Sequence, residues 1–354
     1  MSIRYMVPTV GKFFPSSPFA QHMPLSTEFA LNSTFDTLRT STCTSCLVAQ
    51  DLSNYWFPKL YFRDPQTGKF EDVPNGGLLV YYQNRGNADV AQGGPGLKAF
   101  PPGLKMISGS PIRRSRKYPP GSGSQQELAE RAIEWSCLRY TATTGYDSTQ
   151  LGMVLLESLN ANLPYRSHQA PMAFQIQLAK RAGLNARIHM PACWDGVNLD
   201  SADHISHTAF LSELDNGDCP STHPVAMMKM LYEVTWDVQS MATRWDPTKD
   251  TWPFVYSDGD STGYSWHADF QNGWDVEALQ NAIDKCNNPS DATGQGDTSA
   301  CQFLTVLPAD NGKQCKIDAT VTEPITGVLD RLPGYAFGCI RCFSNLIHIL
   351  SYPF

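Results

Sequence analysis

Three stretches of the chain concentrate the side-chain types that move protons, hold metal ions or stack on sugar rings. The first is CWDGVNLDSADHISH, from Cys193 to His207; the second is YEVTWD, from Tyr232 to Asp237; the third is SDGDSTGYSWHADFQNGWD, from Ser257 to Asp275. Carboxylates and imidazoles serve as acids, bases or ligands, and indole and phenol rings present apolar faces with a polar edge. The candidates for chemistry are Asp195, His204, His207, Glu233, His267 and Asp269, with Trp194, Tyr264 and Trp266 as stacking surfaces for a substrate.

Two chemistries fit these residues. A metal site would use His204, His207 and His267, with Asp269 or Asp203 completing the shell. On a regular strand, residues three apart face opposite ways, so His204 and His207 can converge only on a turn or helix. The competing reading has these histidines hydrogen-bonded to loop backbone. An acid–base site would pair Glu233 or Asp237 with Asp269, Asp260 or Asp195. Glycoside cleavage needs two carboxyls about 5–10 Å apart. Glu233 and Asp237 share a strand face about 13 Å apart, so one partner must come from the third stretch. No serine sits in a recognisable nucleophile elbow, no dinucleotide or P-loop glycine fingerprint occurs, and no cofactor is identified. SDGDSTG lacks the acidic spacing and closing Glu of a calcium loop.

The elements that must position these residues read mostly as strands. Alternating or aromatic-rich runs predict strands near 55–62, 78–83, 184–192, 207–212, 230–237 and 253–257, with LKMISG (104–109) as a further short one. In YEVTWD, Tyr232, Val234 and Trp236 should face one way and Glu233, Thr235 and Asp237 the other. PNGG at 74–77 reads as a turn. Helices are expected over 125–137, with Leu128, Ala132 and Trp135 on one side, and over 275–286, capped by Asp275. The expected fold is mainly β: a single β-sandwich or jelly-roll-like domain with long loops and a few short helices.

Composition narrows the class. With 42% hydrophobic and 17% charged residues, the chain can build a core. A net charge of -7 excludes nucleic acid as an expected partner, since phosphate binding needs a concentrated basic face. The one basic run, Arg113 to Lys117, reads as a solvated loop. Ten cysteines and an Asn32-Ser33-Thr34 glycosylation triplet favour an oxidising compartment, and disulfides are preferred to zinc at the Cys43/Cys46 and Cys339/Cys342 pairs. Cys193 should bridge Cys219, and Cys286 should bridge Cys301 or Cys315. The opening MSIRYMVPTVGKFF has no apolar run long enough for a signal peptide, and Arg341 and His348 interrupt the apolar tail too much for a membrane span.

Read in order, CTSC, SNYWFPKLYF, FPPGLKMISG, CWDGVNLDSADHISH, CPSTHP, YEVTWD, SDGDSTGYSWHADF and NGWD resemble the fungal domain of unknown function 1996. That family often accompanies WSC carbohydrate-binding modules in secreted proteins. The resemblance spans residues 36–335, leaving an irregular segment at 1–35 and an atypical apolar tail at 336–354. It implies an extracellular or cell-wall protein whose partner is a polysaccharide, with three outcomes: a glycan-cleaving enzyme, a non-catalytic adhesion protein or a metal-dependent extracellular enzyme. Two departures stand out. The family's closely spaced histidines and glycines before CTSC are replaced by GKFFPSSPFAQHMPLSTEFA, where only His22 remains. The family cysteine upstream of CWDG is also missing, which leaves Cys137 without its usual partner. These departures, with residues 165–180 and the tail, are expected to reflect an imperfect gene model.

Overall fold

The computed structural model describes residues 2–7, 33–119, 121–138, 183–246, 249–308, 310–315 and 324–333. His22, Asn32, residues 165–180, Cys339, Cys342 and the 336–354 tail lie outside the described residues.

The framework is antiparallel β-structure in several small sheets. The largest has five strands in the order β1 (Ser2–Val7), β5 (Asn75–Gln83), β12 (Lys229–Trp236), β8 (Gly183–His189) and β7 (Ile133–Leu138). Its inner face follows directly from alternation: Tyr232, Val234 and Trp236 are fully buried, as their spacing predicts. Against that face packs a three-stranded sheet of β2 (Asn54–Trp56), β14 (His267–Gln271) and β6 (Lys105–Gly109). Tyr55, Met106, Ala268 and Phe270 from the smaller sheet share one core with Val80, Tyr82, Tyr232 and Val234 from the larger. Tyr55 lies 5.7 Å from Tyr232 across the interface and 5.4 Å from Phe270, its cross-strand neighbour in the same sheet.

Two further sheets close the ends. β13 (Phe254–Tyr256), β3 (Leu60–Arg63), β4 (Phe70–Asp72) and β15 (Val328–Leu329) form one; β10 (Thr208–Ala209), β9 (Cys193–Trp194) and β11 (Val225–Ala226) form the other. The arrangement is sandwich-like, and among the described residues no helix is long and apolar enough to cross a membrane. The helices are short: α1 (Phe35–Arg39), α2 (Gln125–Arg131), α3 (Val276–Lys285) and α4 (Asn311–Gln314). The Asp275 side chain caps α3 by accepting from the Ala278 N–H at 3.0 Å, and Leu279, Ala282 and Ile283 are buried beneath the helix.

The structure corrects three local expectations. The helix read over 125–137 ends at Arg131, because Ile133–Leu138 pairs with β8, Trp135 opposite Ala186. Ladder bonds to a strand some fifty residues away outweigh a helical periodicity of one turn. The PNGG segment is the bulged start of β5, with Asn75 opposite Trp236; the reversal before it falls at Asp64–Lys69 instead. The basic loop is clasped. The backbone N–H groups of Lys117 and Tyr118 donate to the Glu130 carboxylate, those of Gly121 and Gly123 donate to Glu127, and Arg114 reaches the Asp258 carbonyl at 3.2 Å.

Among the described residues, disulfides join Cys43 to Cys315, Cys193 to Cys219 and Cys286 to Cys301. The second and third are pairings the sequence predicts. Cys43 is bonded to Cys315 and not shared with a metal, and its neighbour Cys46 is a buried free thiol whose pKa burial pushes up, with Asp51 adding to the shift.

Candidate functional site

The site is built on the outer edge of β6. Segment 199–207 runs along that edge as a substitute strand: Lys105 N–H donates to Leu199 O and Ile107 N–H to His204 O, each at 2.9 Å. On the other side of β6, Asp269 of β14 sits opposite Ile107. His204 and Asp269 are therefore separated by one intervening strand, roughly 10 Å between backbones. His267 and Asp269 are two apart on β14 and share a face.

The electrostatics tie these three groups together. Burial pushes the Asp269 carboxyl above its ordinary range, while the imidazoles of His267 and His204 pull it back. Its Oδ1 is sealed from solvent although the residue as a whole keeps partial exposure. His204 is raised, first by its bond to Asp200 at 2.6 Å and further by the charge of Asp269, against the opposing effect of burial. Its ring is about half exposed, with a side-chain exposure of 45%. His204 also has φ of 55°, the left-handed region that non-glycine residues seldom occupy.

His207 takes a different role. It is buried, and both ring nitrogens are engaged: Nε2–H donates to Lys105 O at 2.6 Å and Nδ1 meets Ser201 Oγ at 2.8 Å. Ser201 in turn donates to Asp203 Oδ1 at 2.8 Å, and Asp203 also accepts the Ile205 and Ser206 N–H groups. His207 is thus a strut fastening the loop to β6. This explains why His204, His207 and His267 do not form a metal shell: the strut consumes both His207 nitrogens. Among the described residues no group of three His, Cys, Asp or Glu converges in ligating geometry. The Nδ1–H of His267 donates to Ser265 O at 2.7 Å.

The remaining sequence candidates are placed apart. Asp195 organises its own turn, accepting from Val197 N, Asn198 N and Asn198 Nδ2 at 2.7–2.9 Å. Burial alone would raise its pKa, but those bonds outweigh burial and hold it low. Glu233 lies on the outer face of the five-stranded sheet, paired with Arg187 at 2.8 Å, and the buried Tyr232 beside it points the opposite way, to Asp269 O. A full sheet therefore separates Glu233 from Asp269. Trp266 has no exposed surface; its ring packs 5.6 Å from Tyr256 and its Nε1–H donates to Arg187 O. Trp194, at the end of β9, and Tyr264, in the 257–265 loop, stay half-buried, Trp194 tied to Asn198 O at 2.6 Å. Asp200, the partner of His204, was not singled out in the sequence. Its signal is the i,i+4 spacing within DSADH, which reports contact only once the segment is known to turn.

The fold and site define a disulfide-braced, sandwich-like β protein that carries a histidine–carboxylate cluster on a strand edge. The chain belongs to the family described as domain of unknown function (DUF1996), which matches residues 15–274 and so takes in every residue of the cluster. No curated protein and no solved structure matches the chain.

Proposed function

We propose that this is an extracellular protein that acts on cell-wall polysaccharide, with His204 and Asp269 as its acid–base pair and Asp200 as the positioning residue behind His204. The observation that carries this reading is Asp269, a carboxylate held by burial above its ordinary pKa and within the electrostatic reach of His267 and His204. Three disulfides support an oxidising compartment, and the half-buried Trp194 and Tyr264 offer ring faces.

An ordinary imidazole gains its proton near pH 6.5, well above the range of a carboxylate. The productive pair is protonated His204 with ionised Asp269, each charge favouring the other. In glycoside hydrolysis, water would bond to the anomeric carbon as the bond from that carbon to the leaving oxygen breaks. The water proton passes to Asp269, and His204 gives its proton to the leaving oxygen. The test is a panel of purified β-glucans, chitin and mannans, with new reducing ends measured for the native chain, Asp269→Asn and His204→Ala. Release by the native chain and loss of at least about 100-fold in each variant is the expected result; equal release by all three overturns the assignment.

A second reading, a glycan-binding protein without catalysis, is favoured by the structural employment of Asp195, Asp203 and His207. Co-sedimentation with the same polysaccharides and no new reducing ends would select it.

A further inference from the structure

A second feature lies at the end of the sandwich, away from the β6 edge. Trp135 of β7 and Trp252, both half-buried, stand over a cleft floored by Phe254 and Tyr256 and rimmed by Thr262 and Gly263. The free space amounts to about 330 Å³ including the open mouth, and the closed floor has room for little more than a water-sized group. The walls are aromatic and interlocked: Trp252 lies 4.9 Å from Phe254, and Trp135 lies 5.9 Å from Tyr256. Gly263 packs against the nitrogen-bearing edge of the Trp135 indole, 3.2–3.4 Å from where a β-carbon would stand.

The polar inventory is the informative part. The Trp135 Nε1–H is buried and has no hydrogen-bond partner among the described residues; the Tyr256 hydroxyl is also buried, and the Trp236 indole N–H beside it can only donate to it, which leaves the hydroxyl's own proton open. Tyr256 is only 1% exposed. Buried donors left open in this way are uncommon and call for a partner. The nearby carboxylate does not supply one, because Asp260 spends its oxygens on Thr262 N and Oγ1 and on Ser265 N. The cleft therefore combines flat apolar faces, two open neutral donors and no available charge. A ligand that matches it has an apolar ring face, acceptor oxygens and no net charge.

We propose that this cleft is a subsite for one neutral sugar ring of a polysaccharide. The ring would stack across the mouth on Trp252 and Trp135, and one hydroxyl would enter the floor to accept from Trp135 Nε1–H and Tyr256 O–H. The inference rests on the polysaccharide reading above and adds to it a binding position distinct from the acid–base pair. A charged sugar is disfavoured because no cationic side chain is among the described residues that line the cleft.

The test uses the full chain with gluco-, chito- and manno-hexaoses, followed by tryptophan fluorescence and by the indole N–H resonances. Tyr256→Phe removes only the hydroxyl and Trp252→Ala removes one ring face; near-UV circular dichroism and melting temperature establish that each variant is folded. The expected result is a shift of the Trp135 indole resonance on binding. Affinity should fall about tenfold or more in Trp252→Ala and a few-fold in Tyr256→Phe, with Glu233→Gln, on the outer face of the five-stranded sheet, binding as the native chain does. Saturable binding that neither cleft variant weakens overturns the subsite and leaves the polysaccharide reading standing. Absence of any binding or indole shift at millimolar hexaose overturns the subsite, and reducing-end release from the polymers then decides separately whether the polysaccharide reading survives.

Discussion

Asp258 offers the sharpest quantitative test of how the 257–265 loop is held. Its side chain is only 2% exposed, its Oδ1 accepts from Asp260 N–H at 3.0 Å, and Arg114 approaches to 4.0 Å. Burial pushes its pKa up to about 6, outweighing the lowering effects of Ser265, the Asp260 N–H and Arg114. In the unfolded chain the same carboxyl titrates near its ordinary value of 3.8. Between those values the folded protein keeps a proton that the unfolded chain has released. Stability therefore falls as pH rises through this window and then levels off. A separation of about two units corresponds to about 3 kcal/mol. Asp258→Asn keeps an oxygen for the Asp260 N–H and never ionises. Arg114 retains Asp260 at 3.8 Å as a partner. The variant should match the native chain near pH 3.5 and exceed it by about 3 kcal/mol at pH 7. Urea unfolding followed by tryptophan fluorescence at pH 3.5, 4.5, 5.5 and 7 measures the difference directly. A difference that does not change with pH, or a native chain more stable than the variant at pH 7, refutes the reasoning.

Four other outcomes follow from the geometry. Replacing Cys193 and Cys219 by Ser opens a 26-residue loop, which chain entropy converts to about 3.5 kcal/mol of lost stability; denaturant midpoints check this, and faster amide exchange across 199–207 should accompany it. Asp200→Asn removes the main cause of the raised His204 pKa, so an NMR titration should show that histidine falling toward its ordinary value. Because a raised imidazole pKa contributes stability below the unfolded value and loses it as pH rises through the folded one, the native advantage over Asp200→Asn should be largest at acidic pH and shrink above neutrality. Gly109→Ala places a β-carbon 2.4 Å from Trp266 O at φ of 84°, so a melting curve should reveal at least about 2 kcal/mol of destabilisation. Glu233→Gln breaks a partly exposed pair with Arg187 and should cost no more than about 1 kcal/mol, with any polysaccharide activity unchanged.

The sequence by itself determined the features that depend on neighbours within a few residues. Alternation in Tyr232, Val234 and Trp236 set the buried face of the central strand, and Asp275 at the head of an amphipathic segment set the start of α3. The bridge from Cys193 to Cys219 was legible because the two bracket one turn-rich excursion. Tertiary structure decided everything that required distant strands to meet. Trp135 reads as one face of a helix until β8 recruits it into a ladder and turns its ring into the cleft. Glu233 and Asp269 look like partners in composition, yet the two faces of a sheet keep them apart. His204 and His207 look like a pair, but Lys105 O on the edge of β6 and Ser201 Oγ in the loop occupy the two nitrogens of His207, while His204 bonds Asp200 and feels the charge of Asp269. Periodicity and capping are properties of adjacent residues, whereas strand-edge hydrogen bonds and the burial that shifts Asp269 arise only when segments far apart in the chain pack together.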